Sequence, residues 1–278
     1  MSLVTLEELI DAGVHFGHRC SRWNPKMEPF IHGKRNSIHI IDLRETVKGM
    51  IRATHFLEKV IAAGNEILIV GTKPQLKNLI KAEAARCSQH YVAERWLGGT
   101  LTNYQTIRSR LKRLEEIETL ETSSEYQLYS KKMISSLNRE KRKLLRNLEG
   151  IRKMNRLPAA VLIVDPRREH IALSECYKMG IPSVCLIDTD SDPSEVDIPI
   201  PGNDDAFRSV QVVMTKLVDA IKRGKAKIDA ARGITAKGGR GSPAAGETPA
   251  PVLSDVAEPG ASAPAAPAPE GQGGAPTA

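Results

Sequence analysis

Short apolar runs bounded by turn residues alternate along this chain with segments of helical period. Residues 66–70 (EILIV) are apolar after the first position and stop at Gly71, and residues 160–164 (AVLIV) are apolar throughout. Strands apolar on both faces are what a parallel sheet covered by helices on each side requires. Further strands are expected at 37–41, 91–92, 183–187 and 197–200. Helical spacing marks 43–62, 74–87, 169–179 and 204–223, with Pro74 suited to a first turn. Strands separated by helices predict an α/β protein with a doubly wound parallel sheet and right-handed crossovers.

Between residues 101 and 154 no strand pattern appears. Ile107, Leu111, Leu114 and Ile117 recur at helical spacing, as do Leu137, Leu144, Leu148 and Ile151, on either side of a polar stretch at 122–125. Two antiparallel helices, each with one narrow apolar seam, pack mainly on each other and leave their charged faces to solvent or a partner. The expected organisation is a parallel α/β domain over 1–100 and 156–232, an inserted helical hairpin over 101–155, and a tail over 233–278. The tail is rich in Gly, Ala and Pro and has too few large apolar residues to offset the entropy of ordering, so disorder is expected.

Charge sharpens the picture. The net charge is +7, and residues 105–157 carry fourteen Lys/Arg against seven Glu and no Asp. A basic projection fits a polyanionic partner. Aromatic residues are only 4% of the chain, which argues against RNA reading mainly by stacked bases. The four cysteines form no CxxC pair, so reduced thiols in a cytoplasmic protein are expected. No apolar run approaches the roughly 18 residues of a membrane span, and residues 1–10 read as the start of an amphipathic helix, not a targeting peptide.

Doubly wound sheets bind ligands beyond the C-terminal ends of their strands. Here those ends read Gly71-Thr72-Lys73-Pro74, Asp165-Pro166-Arg167-Arg168 and Asp188-Thr189-Asp190, with neither a GxGxxG nor a GxxxxGK[ST] phosphate loop. Asp165 and Asp188 read as loop-closing or capping carboxylates. Asp188, Asp204 and Asp205 form a metal site only if the 199–203 loop folds back; otherwise Asp204 and Asp205 open the last helix. His15 and His18 have chelating separation but no partner pair. No metal, cofactor, catalytic residue or small-molecule substrate is expected.

Phosphate-binding chemistry is denser. Arg19, Arg22, Trp23, Asn24, Lys26, Lys34 and Arg35 combine cations with one stacking-capable ring. From Arg95, a Gly98-Gly99 turn leads into Thr102 and Asn103; its amides can receive a phosphate, or Asn103 can simply cap the helix that follows. Arg108, Arg110, Lys112 and Arg113 crowd the first hairpin helix, and Lys131, Lys132, Arg139, Lys141 and Arg142 the second.

The stretches AGVHFGHRCSRWNPKMEPFIHGKRNSIHIIDL, ILIVGTK, ERWLGGTLTN, LPAAVLIVDPR and IPGNDDAFRS make the chain closely resemble the bacterial small-subunit ribosomal protein S-two family over roughly residues 4–222. That resemblance implies a flavodoxin-like sheet with a protruding coiled-coil hairpin. It also implies binding to small-subunit rRNA between head and body on the solvent side, neighbouring ribosomal proteins, and help in recruiting the large mRNA-binding protein S-one. A nucleotide-binding enzyme on the same sheet is the alternative, and it lacks a phosphate loop.

Overall fold

The computed structural model describes residues 4–238 except 124, 125 and 127, with side chains through residue 230. Residues 239–278, most of the expected tail, lie outside the described residues. In chain order the elements are α1 (Leu6–Asp11), β1 (Phe16–Arg19), β2 (Ile31–Arg35), β3 (Ile38–Ile41), α2 (Leu43–Ala62), β4 (Ile67–Val70), α3 (Lys77–Cys87), β5 (His90–Val92), α4 (Tyr104–Thr122), α5 (Lys131–Leu148), β6 (Ala160–Val164), α6 (His170–Met179), β7 (Ser183–Ile187), β8 (Ile198–Pro201) and α7 (Phe207–Gly238).

Strands β4 to β8 form one sheet in the order β5-β4-β6-β7-β8, and every neighbouring pair is parallel. Numbered by appearance within this sheet, that is 2-1-3-4-5, the flavodoxin-like order. Alternation assigns the two faces. Ile67, Ile69, Leu162, Val164, Val184 and Leu186 pack with α2, α3 and α7. Leu68, Val70, Val161, Ile163, Cys185 and Ile187 pack with α6 and with residues of the α4–α5 insert, among them Ile107, Leu111, Leu148 and Ile151. The apolar runs seen in the sequence are therefore central strands, buried on both sides.

Three local results differ from expectation. Residues 37–41 do contain a strand, but β3 lies outside the parallel sheet, in the middle of a separate antiparallel β1-β3-β2 sheet. The two-residue turn joining β2 to β3 places Asn36 and Ser37 at φ 49° and 62°, the mirror-image turn that matches the right-handed twist of a hairpin. The Arg19–Arg35 stretch is not an open loop. It holds the end of β1, short 3-10 turns at Cys20–Arg22 and Pro25–Phe30, and β2. Finally, α7 begins three residues after Asp204 and continues to Gly238, past the composition change at 233.

Helices α4 and α5 run antiparallel. Tyr104 Oη donates to the Met154 carbonyl at one end, and Lys141–Glu121 and Tyr126–Asn138 contacts join the other. Ile107, Leu111, Leu114 and Ile117 of α4 are all buried, as are Leu137 and Leu148 of α5.

Candidate nucleic-acid interface

The C-terminal ends of the parallel strands are occupied by the chain itself. Connections leave β4 and β6 in opposite directions, so the crevice between their ends is where this fold usually takes a ligand. Lys73, just past β4, fills it. Its Nζ lies 2.9 Å from Asp165, 2.7 Å from Asp204 and 2.8 Å from Asp205. Asp204 and Asp205 come from the loop after β8. Asn203 anchors that loop, donating its backbone N–H to the Val14 carbonyl and its side-chain amide to the Gly13 carbonyl. The Asn203 Oδ1 accepts from the amides of Asp205 and Ala206, so the two aspartates precede α7 and do not open its first turn. Burial and the Asp165 carboxylate push the Asp204 carboxyl up to about 8, against the pull of Lys73. Lys73 itself is raised: these carboxylates outweigh the burial that would lower it.

One strand further, the loop after β7 receives the small antiparallel sheet. The His18 amide donates to Thr189 Oγ1 at 2.9 Å, the Asn24 amide to the Thr189 carbonyl at 2.8 Å, and Lys26 pairs with Asp192 at 2.7 Å. The approach needs Gly17: a Cβ there would lie 2.6 Å from Thr189 Cγ2. The His18 ring reaches Asp188 at 2.9 Å, and that hydrogen bond raises its pKa to about 9 despite burial. Donor atoms of His18, Asp188 and Asp204 lie within 4.8 Å of one another and could together hold a divalent cation. This trio takes the histidine that sequence spacing left without partners. Asp205 joins it only through a 3.4 Å approach to the opposite ring nitrogen of His18.

The Gly98-Gly99 turn is also spoken for. The Glu175 carboxylate on α6 accepts from Trp96 Nε1 at 3.0 Å and from the amides of Gly99, Leu101 and Thr102 at 2.8, 2.9 and 3.1 Å, and from the Thr102 hydroxyl. These are the amides that could have received an external phosphate, and an internal anion takes them. Burial would raise the Glu175 carboxyl, but the Trp96 and amide hydrogen bonds outweigh it and leave the group below its ordinary value. Asn103 stands at the N-cap of α4, but its side chain makes no capping bond to the helix amides and accepts instead from the Thr106 hydroxyl.

The cations picked out in the sequence divide by partner. Arg113 pairs with Glu116 and Glu140, Lys141 with Glu121, and Lys26 with Asp192. The Asn24 side chain caps the 3-10 turn at Lys26. Arg108 and Arg142 each reach a backbone carbonyl, of Asn155 and Asn138. Among the described residues, Arg19, Arg22, Lys34, Arg35, Arg95, Arg110, Lys112, Lys131, Lys132 and Arg139 are exposed and make no ion pair within 4.0 Å. Spacing gathers four such residues. Lys132, Arg139, Lys143 and Arg146, with Ser136 among them, recur at i, i+4, i+7, i+11 and i+14 on α5, all exposed. They form one stripe about 21 Å long at 1.5 Å per residue. On the small sheet, Arg19 and Arg35 are both in register with Ile38 of β3, so the two arginines flank it in one row.

Fold and surface thus define an α/β protein with a parallel sheet, whose ligand crevice is filled by its own side chains and whose unpaired cations lie mainly on α4, α5 and a small antiparallel sheet. The Ribosomal protein S2 family model matches residues 9–224. The small ribosomal subunit protein uS2 of Rhodopirellula baltica is 57% identical over 220 residues, covering 79% of this chain and 85% of that protein. The chain belongs to the ribosomal protein S2 family.

Proposed function

We propose that the chain is a structural component of the small ribosomal subunit that grips rRNA through its phosphates, with no bond made or broken. The observation that carries this is the α5 stripe: four exposed cations on one helix face with no acidic partner. Cations with internal partners contribute little to a polyanion's affinity, whereas unpaired ones release counterions on binding. The filled crevice disfavours the alternative, a nucleotide-binding enzyme, because Lys73 already holds the strand-end position a ligand phosphate would need. Assembly on the ribosome in the cytoplasm follows from this reading. Recruitment of protein S-one is supported by a second surface. Leu6, Ile10 and Phe16 are exposed on and beside α1, and Leu6 and Ile10 border a concavity of about 410 Å³ with His15, His32 and Ile40. An apolar patch of this kind fits a protein partner.

The test replaces Lys132, Arg139, Lys143 and Arg146 together by Gln. Association with protein-depleted small subunits is then followed on sucrose gradients across a salt series. Each lost phosphate contact flattens the slope of log affinity against log salt by about 0.7–0.9 on nucleic-acid calibrations. The expected outcome is a flatter slope and weaker association; an unchanged slope makes the stripe a solvated face.

A further inference from the structure

We infer that the cleft beside Trp23 on the small antiparallel sheet is a seat for one unpaired nucleobase of RNA, with Trp23 as stacking wall, Lys34 toward the phosphate, and His39 and Glu28 toward the base edge. This rests on the RNA-binding reading above and adds to it a site that reads a base instead of the backbone.

The cleft has a volume of about 260 Å³ and is lined by Trp23, Glu28, Ile31, Gly33, Lys34 and His39. That is below the roughly 300–1,000 Å³ of sites for drug-sized ligands, and suits a single ring system. Trp23 is 36% exposed, and its ring leans on the His39 imidazole with centroids 5.2 Å apart. A large aromatic side chain anchored on one neighbour and open to solvent is the geometry on which an unstacked base settles. His39 supplies the independent sign. It is only 9% exposed and lines the cleft, and its two ring nitrogens, both buried, have no hydrogen-bond partner among the described residues. Buried polar groups in folded proteins nearly always have one. The N–H donors of a nucleobase would complement the exposed Glu28 carboxylate, and a shift of the Trp23 ring that leans on His39 would open the buried imidazole nitrogens to the base edge. A Cβ at Gly33 would meet nothing within 4 Å, so the space is open.

The frame is rigid where rigidity counts. The Asn24 amide and Lys26 tie the Trp23 segment to the loop after β7, and the tight Asn36-Ser37 turn fixes the end of the hairpin. Exposed Lys34 lines the cleft, and exposed Arg22 and Arg35 are chain neighbours of the lining residues Trp23 and Lys34. Duplex RNA keeps its base faces stacked, whereas single strands and loops splay bases out, so the ligand class is a base in unpaired RNA.

The full chain is titrated with a single-stranded ten-nucleotide oligoadenylate and with a ten-base-pair RNA duplex at one salt concentration. Trp23→Leu is expected to weaken single-strand binding by at least about fivefold, the lower end for loss of one base–aromatic stack. Duplex affinity and melting temperature are expected to stay unchanged, and Trp23→Phe to restore most of the loss. Unchanged single-strand affinity overturns the seat. Where Trp23→Leu fails to fold, the wild-type chain is photo-crosslinked to the oligomer carrying one 4-thiouridine. A crosslink between residues 23 and 39 supports the seat, and crosslinks confined to α5 overturn it. Loss of binding in the α5 variant, with Trp23→Leu like wild type, removes the seat and leaves the phosphate reading standing; a wild-type chain that binds neither RNA removes both.

Discussion

The strand-end crevice and the outer face of α5 are both dense in charge, and they treat it in opposite ways. In the crevice, Lys73 lies within 2.9 Å of three carboxylates, with Asp204 1% exposed. On α5, the four cations of the stripe are exposed and have no carboxylate within 4.0 Å among the described residues. A buried charge must find its counter-charge within the fold because water cannot supply one. An exposed charge is under no such demand and stays free for a partner. The contrast separates charge that holds the protein together from charge that meets something else, a distinction net charge cannot make.

Breaking the crevice should have the largest effect. Lys73→Met keeps the stem and removes the ammonium, leaving Asp165 and Asp204 facing each other in a poorly hydrated site. Removing one partner of a buried ion pair typically costs about 3–5 kcal/mol, to be read from urea unfolding. Adding Asp204→Asn should recover part of the loss, since it removes one of the two carboxyls left facing each other. The salt dependence of subunit association should not change. A loss below about 1 kcal/mol would place the crevice with ordinary surface pairs.

The Glu175 nest is the next step down. Glu175→Gln keeps the shape, but its amide group presents donors to backbone donors that had an oxygen acceptor. Unsatisfied buried groups cost about 1–3 kcal/mol. The pH dependence has a definite sign. Because the folded carboxyl is held below its ordinary value, the carboxylate's contribution is fully present above the unfolded pKa. It is lost as pH falls through the folded one. Denaturant midpoints measured on the acid side should therefore fall more steeply in wild type than in Glu175→Gln; parallel curves would show that the carboxylate is not ionised in the nest.

Much of the fold was readable before any coordinates, for a physical reason. The runs at 67–70 and 160–164 are buried on both faces, so their apolar content is continuous and their identity as parallel strands follows from local sequence alone. The seam Ile107, Leu111, Leu114 and Ile117 is equally local, since one helix sets its spacing. Strands β1 (FGHR) and β2 (IHGKR) were hidden because they flank a small sheet and are largely exposed, which leaves no alternation to read. The site was less legible still. Glu175 meets amides 73 to 76 positions away, and Lys73 meets Asp204 at a distance of 131. No short-range pattern encodes a carboxylate fitting a nest or an ammonium between loops. The sequence could count the cations of the α4–α5 insert but not sort them into paired and unpaired.

That sorting gives the smallest expected effect, and it bears most directly on the comparison. Arg113 on α4 and Lys141 on α5, the helix of the stripe, carry the same charge, but each is held by glutamates: Arg113 by Glu116 at 3.1 Å and Glu140 at 3.4 Å, Lys141 by Glu121. Their hydrogen bonds to these carboxylates raise both pKa values above the ordinary range, which marks the cations as already engaged. Arg113→Gln with Lys141→Gln lowers net charge by two units, half the change made by neutralising the stripe. If RNA answered only to total charge, the salt slope of this double variant would move by half as much as that of the quadruple one. If unpaired charge is what matters, the slope should scarcely move, because phosphate could reach these cations only by displacing a glutamate. Stability should change little as well, since exposed ion pairs add little in water. A slope change proportional to charge would erase the distinction between the two regions and return the insert to a uniformly basic surface.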